Sequence, residues 1–210
     1  MLRIFRALLA VVIVLVAAIF ITRLIFPLPD ISQRAPETAL PINAGTPLGQ
    51  RVLAAQETHP GLSGVMPLAH GHDALTSRLA LIDEAQSSVD AQYYIWHDDT
   101  SGMLLLEALD RAAKRGVRVR LLLDDNGVPG LDGFMAALNR HENFQIRLFN
   151  PSTIRSPKMA GYAIDFMRMN RRMHNKSMIV DGAAAIIGGR NIGNEYFQIG
   201  EAFYVDMDAL

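Results

Sequence analysis

The chain has 210 residues, no cysteine, 50% hydrophobic residues and a formal net charge of -1. The lack of cysteine excludes a disulfide framework and a cysteine-ligated metal site. The near-zero charge excludes a global attraction to nucleic acid or to acidic membranes, so any anion binding must come from a local patch.

The N-terminus carries an apolar segment. Residues 7–22 form an unbroken apolar run, which residues 24–26 extend beyond Arg23. If the Arg23 side chain snorkels, about 20 residues are available to cross a bilayer as a helix. Because Arg3 and Arg6 precede the run, a single-pass anchor with a cytoplasmic N-terminus is predicted.

A cleaved signal peptide is the alternative, although the residues after the apolar run contain no A-x-A cleavage pattern. We therefore assign residues 1–29 to an anchor. Residues 30–47 are rich in proline and polar residues, which is typical of an extended linker. Residues 48–210 form the predicted globular domain.

Hydrophobic periodicity in this domain predicts alternating strands and helices. Helices are predicted at 73–85, 102–115 (capped by Thr100 and Ser101) and 131–141, and strands at 88–96, 117–125 and 144–149. This alternation predicts an α/β fold with a parallel or mixed sheet flanked by helices. Ligand sites in such sheets lie beyond the carboxyl ends of the strands. His97, which follows one such strand, is interpreted as a residue of the loop at the rim of the site.

The segment 173–191 contains the chemically informative pattern. Residues 173–180 alternate as a strand, which places His174 and Lys176 on one face. Asp181-Gly182 predicts a hairpin turn, and residues 183–187 return as the partner strand. Gly188-Gly189-Arg190-Asn191 follows, and its glycines permit close approach of a ligand or another chain.

These residue types suit phosphodiester cleavage without a metal. A neutral imidazole such as that of His174 can accept a phosphoryl group and release it again. A fixed cation such as Lys176 stabilises the charge that develops on the non-bridging oxygens. Asn191 can donate a neutral hydrogen bond to the same oxygens, and Asp181 can fix the local geometry.

The pattern His174-x-Lys176-x4-Asp181, followed after six residues by Gly188-Gly189-Arg190-Asn191, resembles the phospholipase D superfamily. The stretch AQYYIWHDDTSGMLLLEALDRAAKRGVRVRLLLDDNG and the flanks of the motif look like its bacterial cardiolipin-synthase-like branch. The resemblance covers roughly residues 48–210. It implies the phospholipase D-like fold and a reaction through a phosphohistidine intermediate, in which the histidine of a second motif protonates the leaving alcohol.

The resemblance also implies roles for individual residues. His174 would be the nucleophile, with Lys176 and Asn191 holding the phosphate. Asp181 is the motif aspartate, which we expect to be more structural than chemical because it lies at a turn. Candidates for contacts with the substrate phosphate or headgroup are Arg171, Arg172 and Arg190, and candidates for an acid that orients His174 are Glu195, Glu201 and Asp206. No metal or cofactor is expected.

Members of this branch carry two such motifs, whereas this sequence has one. The second half is expected either later in a longer chain or in a second copy of the chain, across a two-fold axis. We favour the first interpretation, in which residues 48–210 are a first repeat truncated at its C-terminus.

A basic and apolar segment precedes the motif. Its cations, Arg155, Lys158, Arg168, Arg171, Arg172 and Lys176, are interleaved with methionine and aromatic residues. Such a surface suits a phospholipid headgroup with its acyl chains. A solvated basic loop is the simpler interpretation, and a nucleic-acid groove is less expected because only 7% of the residues are aromatic.

The function expected from these observations is phosphatidyl transfer between phospholipids, for cardiolipin or glycerophospholipid synthesis. The expected location is the bacterial inner membrane, with the domain on the periplasmic side. Two alternatives stay open. The chain could act as a dimeric phosphodiesterase or nuclease, or it could be a catalytically silent half-domain that binds lipid.

Overall fold

The computed structural model describes residues 1–210 of the chain. The helices are α1 (Leu2–Ile25), α2 (Pro47–Thr58), α3 (Gly71–Glu84), α4 (Thr100–Lys114), α5 (Asp132–Leu138) and α6 (Ala160–Met169). The strands are β1 (Pro67–Leu68), β2 (Ser88–Tyr93), β3 (Arg118–Asp124), β4 (Phe144–Phe149), β5 (Lys176–Val180), β6 (Ala184–Gly188) and β7 (Asp208–Ala209).

The strands form one mixed sheet in the order β1-β7-β6-β5-β2-β3-β4. Strands β2, β3 and β4 run parallel to each other, whereas β5 pairs antiparallel with β2 and with β6. The predicted mixed α/β sheet is therefore confirmed. The start of β5 lies beside the carboxyl end of β2, because Tyr93 pairs with Lys176.

One face of the sheet carries the hydrophobic core. Alternate residues of β2, β3 and β5, such as Val89, Leu121 and Met178, join the buried residues of α3 and α4 in one cluster. The opposite face carries more polar residues, among them Asp90 and Ser177, as the period of two along a strand requires. Burial of one face thus determines which residues point toward the helices.

The element boundaries differ from prediction at the start of α4 and at the start of β5. The side chain of Asp99, not of Thr100 or Ser101, caps α4 by accepting a hydrogen bond from the Gly102 amide. The predicted strand 173–180 begins only at Lys176, so His174 precedes the strand.

The chain divides into two compact units, Met1–Pro36 with Asn150–Arg171, and Glu37–Phe149 with Arg172–Leu210. The predicted linker, residues 30–47, contains the boundary between these units and stays a prediction. The carboxylate of Glu37 lies 3.7 Å from Arg120 and 3.6 Å from Arg147, and both arginines belong to the sheet. Residues 37–47 therefore belong to the unit that contains the sheet.

Asp181 fastens the hairpin between β5 and β6. Its carboxylate is fully buried and accepts hydrogen bonds from the amides of Gln86 (3.1 Å), Ser87 (2.8 Å) and Ser88 (3.0 Å). These amides belong to the segment that enters β2, so one side chain joins the end of β5 to the start of β2. The geometry is that of a structural residue, as expected from its position at the turn.

We predict that Asp181→Asn lowers the free energy of unfolding by about 1–3 kcal/mol, because an amide cannot replace a carboxylate that accepts three hydrogen bonds. Denaturant unfolding in detergent, followed by the fluorescence of the single tryptophan, measures the change. Asp83→Asn is the matched control, since that carboxylate is more than half exposed. An unfolding midpoint equal to that of the control variant would contradict the structural role.

Candidate active site

The side chain of Tyr94, directly after β2, organises the site. The ring of His174 lies 5.0 Å from the Tyr94 ring, centroid to centroid, at an interplanar angle of 53°. The Nζ atom of Lys176 lies 5.5 Å from the same ring centroid and donates a hydrogen bond of 3.0 Å to the backbone oxygen of His174. Although His174 precedes the strand, its imidazole and the ammonium group of Lys176 both pack against Tyr94.

The two motif residues differ in exposure. His174 is exposed, whereas Lys176 is only 9% exposed. Burial lowers the pKa of Lys176, and the negative charge of Asp206 partly opposes this effect. A cation in a partly desolvated position interacts more strongly with an anion than a cation in water does. The arrangement therefore offers an accessible imidazole beside a shielded positive charge.

Asn191 lies at the same end of the sheet. Its Oδ1 accepts a hydrogen bond of 3.1 Å from the amide of Ile95, the residue after Tyr94, and its Nδ2 donates to the hydroxyl of Tyr196 at 3.0 Å. Burial raises the pKa of Tyr196, so this hydroxyl remains protonated at neutral pH. The end of β2 thus brings Asn191 together with His174 and Lys176.

The buried carboxylate of Asp124, at the end of β3, positions the segment that leads into His174. It accepts hydrogen bonds from the Met173 amide at 2.8 Å and from Nη1 of Arg172 at 2.9 Å. It also accepts from the Asn126 amide, 2.9 Å away. Sequence reasoning placed Asp124 at a strand end but missed this role, as it missed Tyr94 and Tyr196. The rule that ligand sites lie beyond the carboxyl ends of strands is the signal that could have identified Asp124 and Tyr94.

Asp181 does not join this group. It follows the last residue of β5, whereas His174 precedes the first, and a five-residue strand spans about 13 Å. Its carboxylate is committed to the three amides that precede β2. The structure therefore separates the motif aspartate from the histidine and lysine of the same motif.

Arg190, proposed from sequence as a headgroup contact, has a structural environment instead. Its side chain is 1% exposed and donates hydrogen bonds to the backbone oxygens of Leu68, Ala69, Tyr196 and Asp206. This corrects the expectation, because a buried guanidinium with these partners cannot meet a headgroup.

The other two arginine candidates lie in different units of the chain. Arg172 forms an ion pair with Asp124, and its side chain is 14% exposed. Arg171 is exposed and belongs to the unit that contains α6. Contacts of either residue with a headgroup stay predictions.

The three candidate acids also occupy different environments. Glu195 is paired with His97, with 3.2 Å between Oε1 and Nδ1. Glu201 is exposed. Asp206 is the acid whose charge acts on Lys176. Which of the three acids orients His174 stays a prediction.

His97, Asp99 and Glu195 form the group best placed to hold a cation, with donor atoms within 4.8 Å of one another. However, Asp99 already caps α4 and accepts hydrogen bonds from the Ser101 hydroxyl and the Asn194 amide. Nearby, the amide of His97 donates to the Ile192 oxygen. These contacts join the loop after β2 to residues 192–194, which follow the Gly-Gly turn, and this is a structural function.

A groove of about 320 Å³ lies on the polar face of the sheet. Its lining includes Asp90, Arg120, Ser177 and Ile179, together with Glu37. Ser177 and Ile179 alternate with Lys176 and Met178 along β5 and therefore point to the opposite face. The groove is separate from the His174 site.

Comparison with known proteins identifies the class. Residues 79–203 match the family model described as "Cardiolipin synthase, PLD-like domain". Because this match covers more than half of the chain, the chain belongs to that family, as the motif indicated.

Individual relatives agree with this assignment. Cardiolipin synthase C of Escherichia coli (strain K12) is 51% identical over 164 residues, which cover 78% of this chain and 35% of that protein. The major cardiolipin synthase of Bacillus subtilis (strain 168) is 32% identical over 136 residues, covering 65% and 27%. The chain thus spans about a third of the length of these relatives.

Among solved structures, phosphatidylserine synthase of Haemophilus influenzae Rd KW20 superposes with a TM-score of 0.53 at 15% identity. The match covers 76% of this chain and 37% of that one. At this level of identity the likeness concerns the fold alone, and it agrees with the mixed sheet described above.

We predict that the pKa of Lys176 lies below the usual value for a lysine, and that Asp206→Asn lowers it further. Burial disfavours the charged ammonium, and the substitution removes the negative charge that favours it. With only three lysines in the chain, an NMR titration of ¹³Cε-labelled lysine in detergent micelles resolves each signal.

Lys114, which is 60% exposed and paired with Asp110, supplies a reference signal in the same spectrum. If the Lys176 midpoint lay at or above the usual value for a lysine, or rose on the substitution, the electrostatic description of the site would be wrong.

Proposed function

We propose that this chain supplies one half of a phosphatidyl-transfer site that makes cardiolipin-type phospholipids, with His174 as the nucleophile. The observation that carries the proposal is the packing of an exposed imidazole and a buried ammonium against the same Tyr94 ring. The family membership and the cardiolipin synthases among its relatives support the choice of substrate class.

In the first step, a ring nitrogen of neutral His174 attacks the phosphorus of a donor phospholipid. The bond between phosphorus and nitrogen forms as the bond between phosphorus and the leaving alcohol breaks. Lys176 stabilises the negative charge on the non-bridging oxygens. Asn191 can add a hydrogen bond, because Nδ2 carries two hydrogens and Tyr196 receives one.

The leaving alcohol requires a proton, which we assign to the histidine of a second motif. In the second step that histidine removes the proton of an incoming alcohol, whose oxygen attacks phosphorus and displaces His174. The second motif would come from the remainder of a longer chain or from a second copy of this one. The 35% coverage of the relative from Escherichia coli favours a longer chain.

Asp206 is the acid that we propose to orient the site. Its charge acts on Lys176, and a Cβ atom added at Gly189 would lie within 2.5 Å of its carboxylate. Glycine at this position therefore allows the acid to approach the turn that carries Asn191. A negative charge here favours the positively charged phosphoimidazolium that forms when neutral His174 attacks phosphorus.

Membrane attachment through α1 is part of the proposal. The most apolar 18-residue window of α1 has a mean hydropathy of 3.0 and is not buried in the chain, so the helix is long and apolar enough to cross a bilayer. Arg3 and Arg6 at its start favour a cytoplasmic N-terminus and a sheet domain on the periplasmic side of the inner membrane.

The test uses this chain alone and joined to the second half that we propose, with phosphatidylglycerol and phosphatidylethanolamine in vesicles. We expect new cardiolipin by mass spectrometry and an acid-labile, alkali-stable phosphoryl adduct on the protein. His174→Gln should abolish both signals, whereas His59→Gln should leave both unchanged, because His59 is exposed at the end of α2.

Retention of turnover or of the adduct in His174→Gln would overturn the assignment of the nucleophile. Cleavage of nucleic acid without lipid products would favour the nuclease. If the 210-residue chain alone produces cardiolipin and elutes as a dimer in gel filtration, the second motif comes from a second copy. If the 210-residue chain is a monomer that binds anionic vesicles, and the longer chain shows no turnover, the silent lipid-binding half-domain is the correct alternative.

A further inference from the structure

The outer face of α6 is apolar. Its exposed side chains include Phe166 and Met167, which are 55% and 79% exposed, and Met159 just before the helix is 69% exposed. The face of a helix that meets water in a globular protein is normally polar. A contiguous group of exposed methionine and phenylalanine side chains is typical of an interaction surface.

The inner face of α6 is already packed. Gly161 is buried, and a Cβ atom added there would lie 2.4 Å from Ser152 Oγ and 3.1 Å from Met169 Sδ. The helix therefore cannot turn its apolar side chains inward without displacing this close contact. The exposed face is available for a partner outside the chain.

Arg23 ties α6 to the last turn of α1. Its Nε donates to the Ile164 oxygen at 2.9 Å, and its Nη2 donates to Asp165 Oδ1 at 2.8 Å. Asp165 departs from helical conformation inside α6, and its second carboxylate oxygen accepts from Arg168. Both α1 and α6 belong to the same compact unit.

This connection fixes the level of α6 relative to a bilayer that α1 would span. A helix of 24 residues is about 36 Å long, whereas a hydrocarbon core is about 30 Å thick. Arg23 lies two residues from the end of α1, where a snorkelling arginine meets the headgroups. The middle of α6 is therefore held at the headgroup level.

We propose that α6 is an interfacial helix, which inserts Met159, Phe166 and Met167 into the same leaflet that α1 leaves. Arg155 precedes α6 and Arg171 follows it. Both are exposed cations, which suit the anionic headgroups of that leaflet. The bilayer is the favoured occupant because the surface continues from the membrane helix itself. The inference rests on the proposed insertion of α1 and not on the chemistry at His174.

The chain contains no cysteine, so single cysteines can be introduced without a background. The full chain is reconstituted in vesicles of phosphatidylglycerol and phosphatidylethanolamine, and Phe166→Cys and Met167→Cys are labelled with a small fluorophore. Phe134→Cys on α5 is the matched control, because Phe134 is 48% exposed in the other unit. Leu15→Cys reports on the insertion of α1.

The labels on α6 should be quenched severalfold more by lipids with brominated acyl chains than the label at position 134, and less by aqueous iodide. Equal accessibility of all three to iodide, with position 15 in lipid, would overturn the interfacial helix alone. Shielding from iodide without quenching by brominated lipid would indicate a protein occupant and also overturn it. A water-accessible label at position 15 would overturn the anchor as well.

Discussion

Two buried carboxylates hold the strand that carries the site. Asp181 joins the end of β5 to the backbone that enters β2, and Asp124 holds the segment that leads into β5 through the Met173 amide. A buried carboxylate without partners is costly, so each of these groups strongly favours one arrangement of its loop. The register between β2 and β5 is thereby constrained at both ends, and it sets Lys176 beside Tyr93.

This constraint explains how a short motif produces two different environments. Lys176 is the first residue of β5 and points toward the buried face, where desolvation lowers its pKa. His174 lies before the strand, so its side chain escapes the alternation and remains exposed against Tyr94. A uniform strand would have buried both residues or exposed both. The break in the strand lets an accessible imidazole share a site with a shielded cation.

Much of this fold follows from local patterns. Period-two alternation and helical spacing identified β2, β3, β4, α3 and α4 to within a few residues, because one face of each element is buried. Tyr94 and Asp124 were missed because their roles depend on β5 lying beside β2, a pairing of segments distant in the sequence. The headgroup contact expected for Arg190 was wrong for the same reason, since the carbonyl partners of its side chain come from β1 and the last segment of the domain. Helix α6 was missed because cations interrupt its apolar spacing and Asp165 breaks its regularity.

The exposure of His174 also bears on why a second motif is needed in the proposed reaction. An in-line displacement at phosphorus places the attacking nitrogen and the leaving oxygen on opposite sides. In this chain the imidazole, the Lys176 ammonium and Asn191 gather at one end of the sheet, around Tyr94 and Ile95. These three groups can therefore contact the phosphorus and its non-bridging oxygens from one side only. The proton donor for the leaving alcohol must then approach the exposed face of His174 from the opposite side, where a second half-site would close over the phosphate.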